Sequence, residues 1–275
     1  MKDNEILVFS HIPKTAGTSL KYLFRRYFGT EQLDAAYRAN SKDRACYYPR
    51  DFKLDQSVVG KTKLLAGHCI KPYIDFEEYE EQFRWFTFLR NPIDRYISHY
   101  IHQQTKGSTV YHMDLLSWGS KFNRSDWMTK MIAGENDLEK AKDILKNKIE
   151  LIGFTEHFND SMKMIKTHFE LNKFDIELSG NRMVSKGSGI KQKILSEYEK
   201  YETDLKEQNK NDILLYEFAL KEIWPKQQKL LQSYQPYKSN DSQNKSRINK
   251  LFYKRNLIYK PFVKIDNAII KLKHL

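Results

Sequence analysis

Apolar residues in this chain arrive in short, nearly continuous runs, each followed by a polar turn and then a stretch at helical spacing. Ile6–Ser10 is the first run. A turn containing Pro13 and Gly17 follows, and then Leu20, Leu23, Phe24 and Tyr27 recur three and four apart, closed by Gly29 and Thr30. The spacing predicts strand, tight loop, helix. Lys63–Ala66 is a second run, ending at Gly67, and the acidic Phe76–Phe83 is helix-like. Trp85–Leu89 is a nearly continuous apolar run, as a strand covered on both faces should be, and Asn91-Pro92 forces a turn before helical spacing resumes over Ile93–His102. Leu138, Ala141, Ile144 and Leu145 mark one helix face. Leu151–Phe154 is a fourth strand, followed by a helix carrying Phe158, Met162, Ile165 and Phe169. Gly180–Gly189 is a loop, and two further helices carry Ile194, Tyr198, Tyr201 and Leu205, then Ile213–Trp224. Arg38–Ser57 is polar, rich in Tyr and irregular, and no internal repeat is present. Strands alternating with helices predict an α/β, P-loop-like three-layer fold with a central parallel sheet flanked by helices.

Length and charge divide the chain further. Its 275 residues suit one α/β domain with an appendage, and 40% hydrophobic with 30% charged residues suits a folded domain in water. No apolar run reaches the roughly 20 residues that cross a bilayer, and Ile6–Phe9 is too short for a signal core, so the expected location is cytoplasmic. Cys46 and Cys69 are the two cysteines and are expected as free thiols. Of the net charge of +12, the stretch 226–275 supplies +10, with 12 Lys/Arg against 2 Asp/Glu. A body at 1–235 is thus expected to carry a basic tail at 236–275, joined by the polar stretch Tyr234–Ser246. Within the tail, Phe262, Ile265, Ile269 and Leu272 recur at helical spacing with Lys264, Lys271 and Lys273 largely elsewhere on the turn. This amphipathic basic helix can pack on the body or a second subunit, or lie peripherally on an anionic membrane.

Two segments carry candidate chemistry. In the first, Ser10-His11-Ile12-Pro13-Lys14-Thr15-Ala16-Gly17-Thr18-Ser19, a strand enters a small-residue loop that opens a helix. Successive backbone N–H groups and the helix N-terminus can converge on an anion there, with Lys14 adding a full charge and Thr18 and Ser19 adding hydroxyls. A plain turn with a capped helix is the alternative. The G-x-x-x-x-G-K-[ST] pattern of NTPases is absent. In the second, Phe86–Tyr100, Arg90 sits where a strand ends, at the edge where open parallel sheets bind ligands, and Ser98 follows two helical turns later. The planar guanidinium suits bidentate phosphate contacts; pairing of Arg90 with Asp94 is the structural alternative. Arg95 is expected on a solvated or ion-paired helix face.

Together, PKTAGTS and FLRNPIDRYISHY resemble the two nucleotide segments of the sulfotransferases that use 3′-phosphoadenosine 5′-phosphosulfate (PAPS). Within that superfamily, Gly67-His68 before Tyr73-Ile74-Asp75-Phe76, the strand-then-helix stretch Leu151–Phe169 with its GFTE run, and Asp212–Leu220 resemble the carbohydrate branch that includes heparan sulfate/uronosyl 2-O-sulfotransferases. The likeness spans roughly 6 to 224. Lys71-Pro72 is an insertion relative to the branch after its Gly-His pair. The resemblance implies that residues 14–19, namely Lys14, Thr15, Ala16, Gly17, Thr18 and Ser19, hold the 5′-phosphosulfate, that Arg90 and Ser98 hold the 3′-phosphate, and that Lys186, in a late loop with Ser185 and Gly187, closes over the nucleotide. It implies transfer of a sulfuryl group to a carbohydrate or glycoconjugate hydroxyl, release of PAP, and no metal requirement. Lys14 is then the catalytic cation at the leaving phosphate, and His68 the general base, since imidazole titrates near neutrality. His11, directly before the loop, is the rival base and Glu78 an outside candidate. His99 and His102, three apart, make no site by themselves. Two other classes stand against this one. A nucleotide-dependent kinase would prefer ATP-Mg²⁺ to PAP. A protein binding nucleic acid or an anionic surface through its tail would owe nothing to the two segments; no nucleic-acid motif is present.

Overall fold

The computed structural model describes residues 4–35, 60–104, 113–176 and 188–236. The stretch Arg38–Ser57 with Cys46, the loop carrying Lys186, and the tail beyond residue 236 lie outside them.

Five parallel strands form the core sheet: β1 (Ile6–Ser10), β2 (Gln32–Ala35), β3 (Leu64–Gly67), β4 (Phe83–Leu89) and β5 (Leu151–Phe154), in the order β2-β3-β1-β4-β5. Every residue of β1, β3 and β5, and all of β4 but Arg84, is buried. Helices cover both faces, which is why these runs are apolar without alternation. The chain leaves β1 toward β3 and β2, then crosses to β4 and β5 on its other side. That reversal opens a crevice at the carboxyl end of β1, where open α/β sheets take their ligands.

Helix α1 (Gly17–Phe28) buries Leu20, Leu23, Phe24 and Phe28, carries Arg25 and Arg26 in its last turn, and stops at Gly29, whose φ of 56° a side chain would resist. Helix α2 (Pro92–Gln104) starts with proline, and Asn91 Oδ1 accepts from the backbone N–H groups of Ile93 (3.1 Å) and Asp94 (3.2 Å). Short helices α3 (Leu115–Lys121) and α4 (Trp127–Ala133) follow, then α5 (Leu138–Asn147), capped by Asp137, and α6 (Phe158–His168). Helix α7 (Ser188–Gln208) breaks at Tyr201, whose φ and ψ of −113° and 16° leave the helical region. Helix α8 (Lys210–Phe218) widens into a π turn at Ala219–Ile223 and resumes as α9 (Trp224–Gln227). Pro225, without an N–H, cannot continue the backbone ladder of one uninterrupted helix.

Four expectations change. Phe76–Phe83 is a 3₁₀ helix at Glu77–Gln82, because Glu77 is left-handed (φ 53°) and Glu80 turns back to accept from the N–H of Phe76 at 3.2 Å. The expected loop at 180–189 ends earlier, α7 beginning at Ser188. The single helix expected over Ile213–Trp224 is divided by the π turn. Arg95 is fully buried, not solvated, with its Nε 3.9 Å from the equally buried Asp212. Its ion pairing is as expected.

Beside the main core, Tyr96, Tyr100, Leu115, Trp118, Ile194 and Leu205 form a second apolar cluster that ties α2 to α3 and α7. It holds α2, and so Ser98, against the sheet end.

Candidate active site

The residues that follow β1, β3, β4 and β5 meet at the carboxyl edge of the sheet around a cavity of about 590 Å³. Its size falls in the range of ligand sites. The first wall is the loop after β1: Lys14, Ala16, Gly17, Thr18 and Ser19 line it, with His11 at its base. Lys14 and Ala16 are left-handed, with φ of 73° and 61°. Left-handed residues alternating with ordinary ones turn successive N–H groups toward one side, the geometry of an anion nest, and α1 begins there without a side-chain cap on its first amides. Thr15 is fully buried and its Oγ1 donates to the carbonyl of Ile12 at 2.9 Å. Its hydroxyl braces the loop from inside, leaving its backbone amide for an anion.

The second wall is Arg90 and Ser98. Arg90 Nη1 donates to the carbonyl of Lys14 at 3.3 Å, so the end of β4 is tied to the phosphate-type loop. Thr87, two-thirds along the same strand, donates to the Ser10 carbonyl at 2.8 Å. Thr155, after β5, donates to the Leu89 carbonyl at 2.9 Å and completes this side.

The third wall is His68, just past β3. Its Nδ1 lies 2.6 Å from the carbonyl of His11. A carbonyl only accepts, so Nδ1 carries the proton and Nε2 the lone pair. The rings of His68 and His11 stack with centroids 4.0 Å apart. Burial, offset in part by that hydrogen bond, lowers the His68 pKa to about 4, with Lys21 and Lys71 adding repulsion. His11 is held well below its ordinary value by burial and by His68, Lys21 and Lys14. Both rings are therefore neutral at pH 7. Burial also pushes the neighbouring Cys69 thiol up to about 11, which makes it inert.

Among the lining residues absent from the sequence-based site are Arg124, Trp127 and His99. Arg124 stacks on Trp127 at 4.5 Å, and both face the cavity. The Arg124 carbonyl accepts from Arg95 Nη2 at 3.3 Å, and Asp212 accepts from the backbone N–H groups of Met128 (3.0 Å) and Thr129 (2.8 Å) at the start of α4. His99, 5% exposed, also lines the cavity; burial and the charges of Arg95, Arg124, Lys14 and His102 lower its pKa to about 2. The N-R-S-D-W stretch at 123–127 offers no signal beyond a lone Arg beside a Trp, because its place depends on partners on α2 and α8.

Of the residues expected at the site, Lys14, Ala16, Gly17, Thr18, Ser19, His68, Arg90 and Ser98 line this one cavity, Thr15 supports it, and Lys186 lies outside the described residues. His11 and His102 line it too, whereas Glu78 is exposed on the 3₁₀ helix away from it. The described lining supplies cations, hydroxyls and imidazoles and no carboxylate. Nδ1 of His11 and of His99 are buried without hydrogen-bond partners. Such a donor set fits a polyanion.

The architecture defines a three-layer α/β protein with a cationic cavity at the switch point of its sheet. The model of the sulfotransferase family matches residues 1–219, and the chain belongs to that family. It is a transferase, and the group it moves is sulfuryl. The search of curated proteins found no match.

Proposed function

We propose that the chain transfers a sulfuryl group from PAPS to a hydroxyl of a carbohydrate or glycoconjugate acceptor. One observation carries the reading: the loop after β1, the Arg90–Ser98 pair and His68 share one cavity with no carboxylate among its described lining residues. Two separate anion-holding groups suit a nucleotide bearing phosphates at both its 3′ and 5′ positions, and the protein's own cations offset that charge. When bound, PAPS supplies the activated sulfuryl group, with PAP as the leaving product. Lys14 and the loop amides hold the 5′ end, and Lys14 stabilises the charge that grows as the phosphate leaves. Arg90 and Ser98 hold the 3′-phosphate. His68 takes the proton of the attacking hydroxyl at Nε2 while its Nδ1–H stays on the His11 carbonyl. The carbohydrate class is supported by the GHC and GFTE stretches at His68 and Thr155, both of which lie at this cavity.

Calorimetry with PAP in the presence of EDTA tests the nucleotide part: micromolar-range binding is expected, and no binding, or a preference for ATP-Mg²⁺, overturns it. Incubation with labelled PAPS and a panel of saccharides, phenols and Tyr peptides tests the acceptor. Label on phenols or Tyr peptides alone replaces the carbohydrate class.

A further inference from the structure

We infer that the His11 ring is a positioning element that joins the phosphate-type loop to the base, and that Gly17 is glycine in order to make room for it. The inference rests on the reading of His68 as the base. His11 touches both sides at once. Its backbone is clamped from the β3 side, its N–H donating to the Gly67 carbonyl at 3.2 Å and its carbonyl accepting from His68. Its ring lies between Phe9, at 5.2 Å and 21° between planes, and His68, at 4.0 Å and 28°. The ring edge faces Gly17. A Cβ built on Gly17 would fall within the imidazole, overlapping Nε2, Cε1 and Cδ2. Among the described residues, the glycines whose backbone needs φ above zero are Gly29 and Gly134; Gly17 is the first residue of α1 and has no such need. The usual conformational reason for a loop glycine is therefore absent, and a steric one is present.

The consequence is mechanical. The peptide carbonyl of residue 11 fixes the tautomer of His68, the stacked ring fixes its plane, and the same ring sets how closely the loop descends on β1. Base and loop then hold one spacing, which in-line transfer between an acceptor oxygen and the leaving phosphate requires. His11 itself is 7% exposed and its ring edge is closed off by Gly17, which suits a spacer better than a base.

Gly17→Ala, His11→Ala and the double variant test this. In Gly17→Ala the new methyl meets the ring, so a lower melting temperature and PAP binding weakened on the order of tenfold or more are expected. His11→Ala/Gly17→Ala removes the obstacle, and both its melting temperature and its PAP affinity are expected to recover toward those of His11→Ala. His11→Ala alone is expected to bind PAP within about threefold of the parent. Its turnover should fall on the order of 100-fold, and the ring signals of His68 in the free protein, while remaining those of the Nδ1–H tautomer that the residue 11 carbonyl holds, should shift and broaden as the ring loses its fixed plane. Should Gly17→Ala match the parent, or the double variant be no better folded than Gly17→Ala, the space is not held by His11 and the inference is overturned. An unchanged His68 spectrum with normal turnover in His11→Ala overturns it as well. Failure of the parent to bind PAP would instead fault the functional reading, since the melting temperatures and the His68 spectrum of the free protein are read without nucleotide.

Discussion

Lys14, Arg90 and His68 line the same cavity but are expected to fail differently. Arg90→Ala removes a ground-state contact and should weaken PAP, with turnover at saturation less affected. Lys14→Ala removes a charge matched to the transition state, so kcat should fall by the equivalent of about 2–4 kcal/mol while PAP binding changes less. A fully active Lys14→Ala enzyme would refute that role. His68→Ala should abolish transfer and leave PAP affinity near normal, as checked by turnover and calorimetry on one preparation. The pH profile carries a sign of its own. In the free protein burial lowers the His68 pKa to about 4, so the base remains neutral well below the ordinary imidazole value. The acid limb of kcat/KM should therefore lie far below pH 6.5. The limb of kcat should lie higher, because bound anionic nucleotide favours the imidazolium.

At the scale of elements, the buried knot of Arg95, Asp212 and the start of α4 decides where Arg124 and Trp127 stand. Arg95 comes from α2, which also carries Ser98, and Asp212 from α8. Asp212 Oδ1 accepts from both the N–H and the hydroxyl of Thr129, and Asp126 Oδ1 accepts in turn from the N–H of Asp212 at 3.0 Å. Burial raises the Asp212 pKa against the pull of Arg95, and lowers that of Arg95 to about 10. Removing one member leaves the other charge without its counterion in the interior. Arg95→Met should cost about 3–5 kcal/mol in denaturant unfolding. Arg95→Met with Asp212→Asn should cost less than the sum of the single changes, because no lone charge then remains. Additive losses would show that the two residues act separately. The edge strand β2, by contrast, is held through backbone pairing with β3, from Gln32 opposite Leu64 to Ala35 opposite Gly67. Its sequence, QLDA, has no apolar run from which to predict a strand.

For the whole molecule, three imidazoles, those of His11 and His99 buried and that of His68 half-buried, make stability depend on pH. His11, His68 and His99 all have folded pKa values below the ordinary 6.5. Between 6.5 and those values the unfolded chain binds more protons than the native one, so stability rises with pH. It is complete above about pH 6.5. On acidification each histidine removes up to about 1.4 kcal/mol per pH unit, His68 ceasing to contribute near pH 4 and His99 near pH 2. Urea unfolding from pH 7.5 to 4.5 should show this slope, and His99→Gln should reduce it; a flat profile would contradict the burial of these rings. The basic tail is a separate matter. Every described residue that lines the cavity precedes residue 156, and the family match ends at 219. A chain ending at Gln235 should therefore still bind PAP and transfer to a small soluble acceptor, and should lose whatever affinity the full chain shows for anionic vesicles. Loss of PAP binding in a folded truncated chain would make the tail part of the nucleotide site.

Local chemistry made much of this protein legible without a structure. Buried parallel strands such as Ile6–Ser10 and Trp85–Leu89 must be apolar along most of their length, and the loop at 13–19 and Arg90 belong to short motifs whose geometry is set within a few residues. Strand order in a parallel sheet then brings their ends together, which is why eight of the expected site residues line one cavity. What only the tertiary structure decided depends on partners far along the chain. Arg95 has the same sequence character as a solvated helix residue, and its burial follows from Asp212, more than a hundred positions away. Arg124 and Trp127 reach the cavity through that same knot. The tautomer of His68 is set by a carbonyl 57 residues upstream, and Gly17 answers to a ring that packs against it in space. Periodicity records which face of an element is covered; it does not record by what, and at this site the identity of the covering group sets charge state, orientation and spacing.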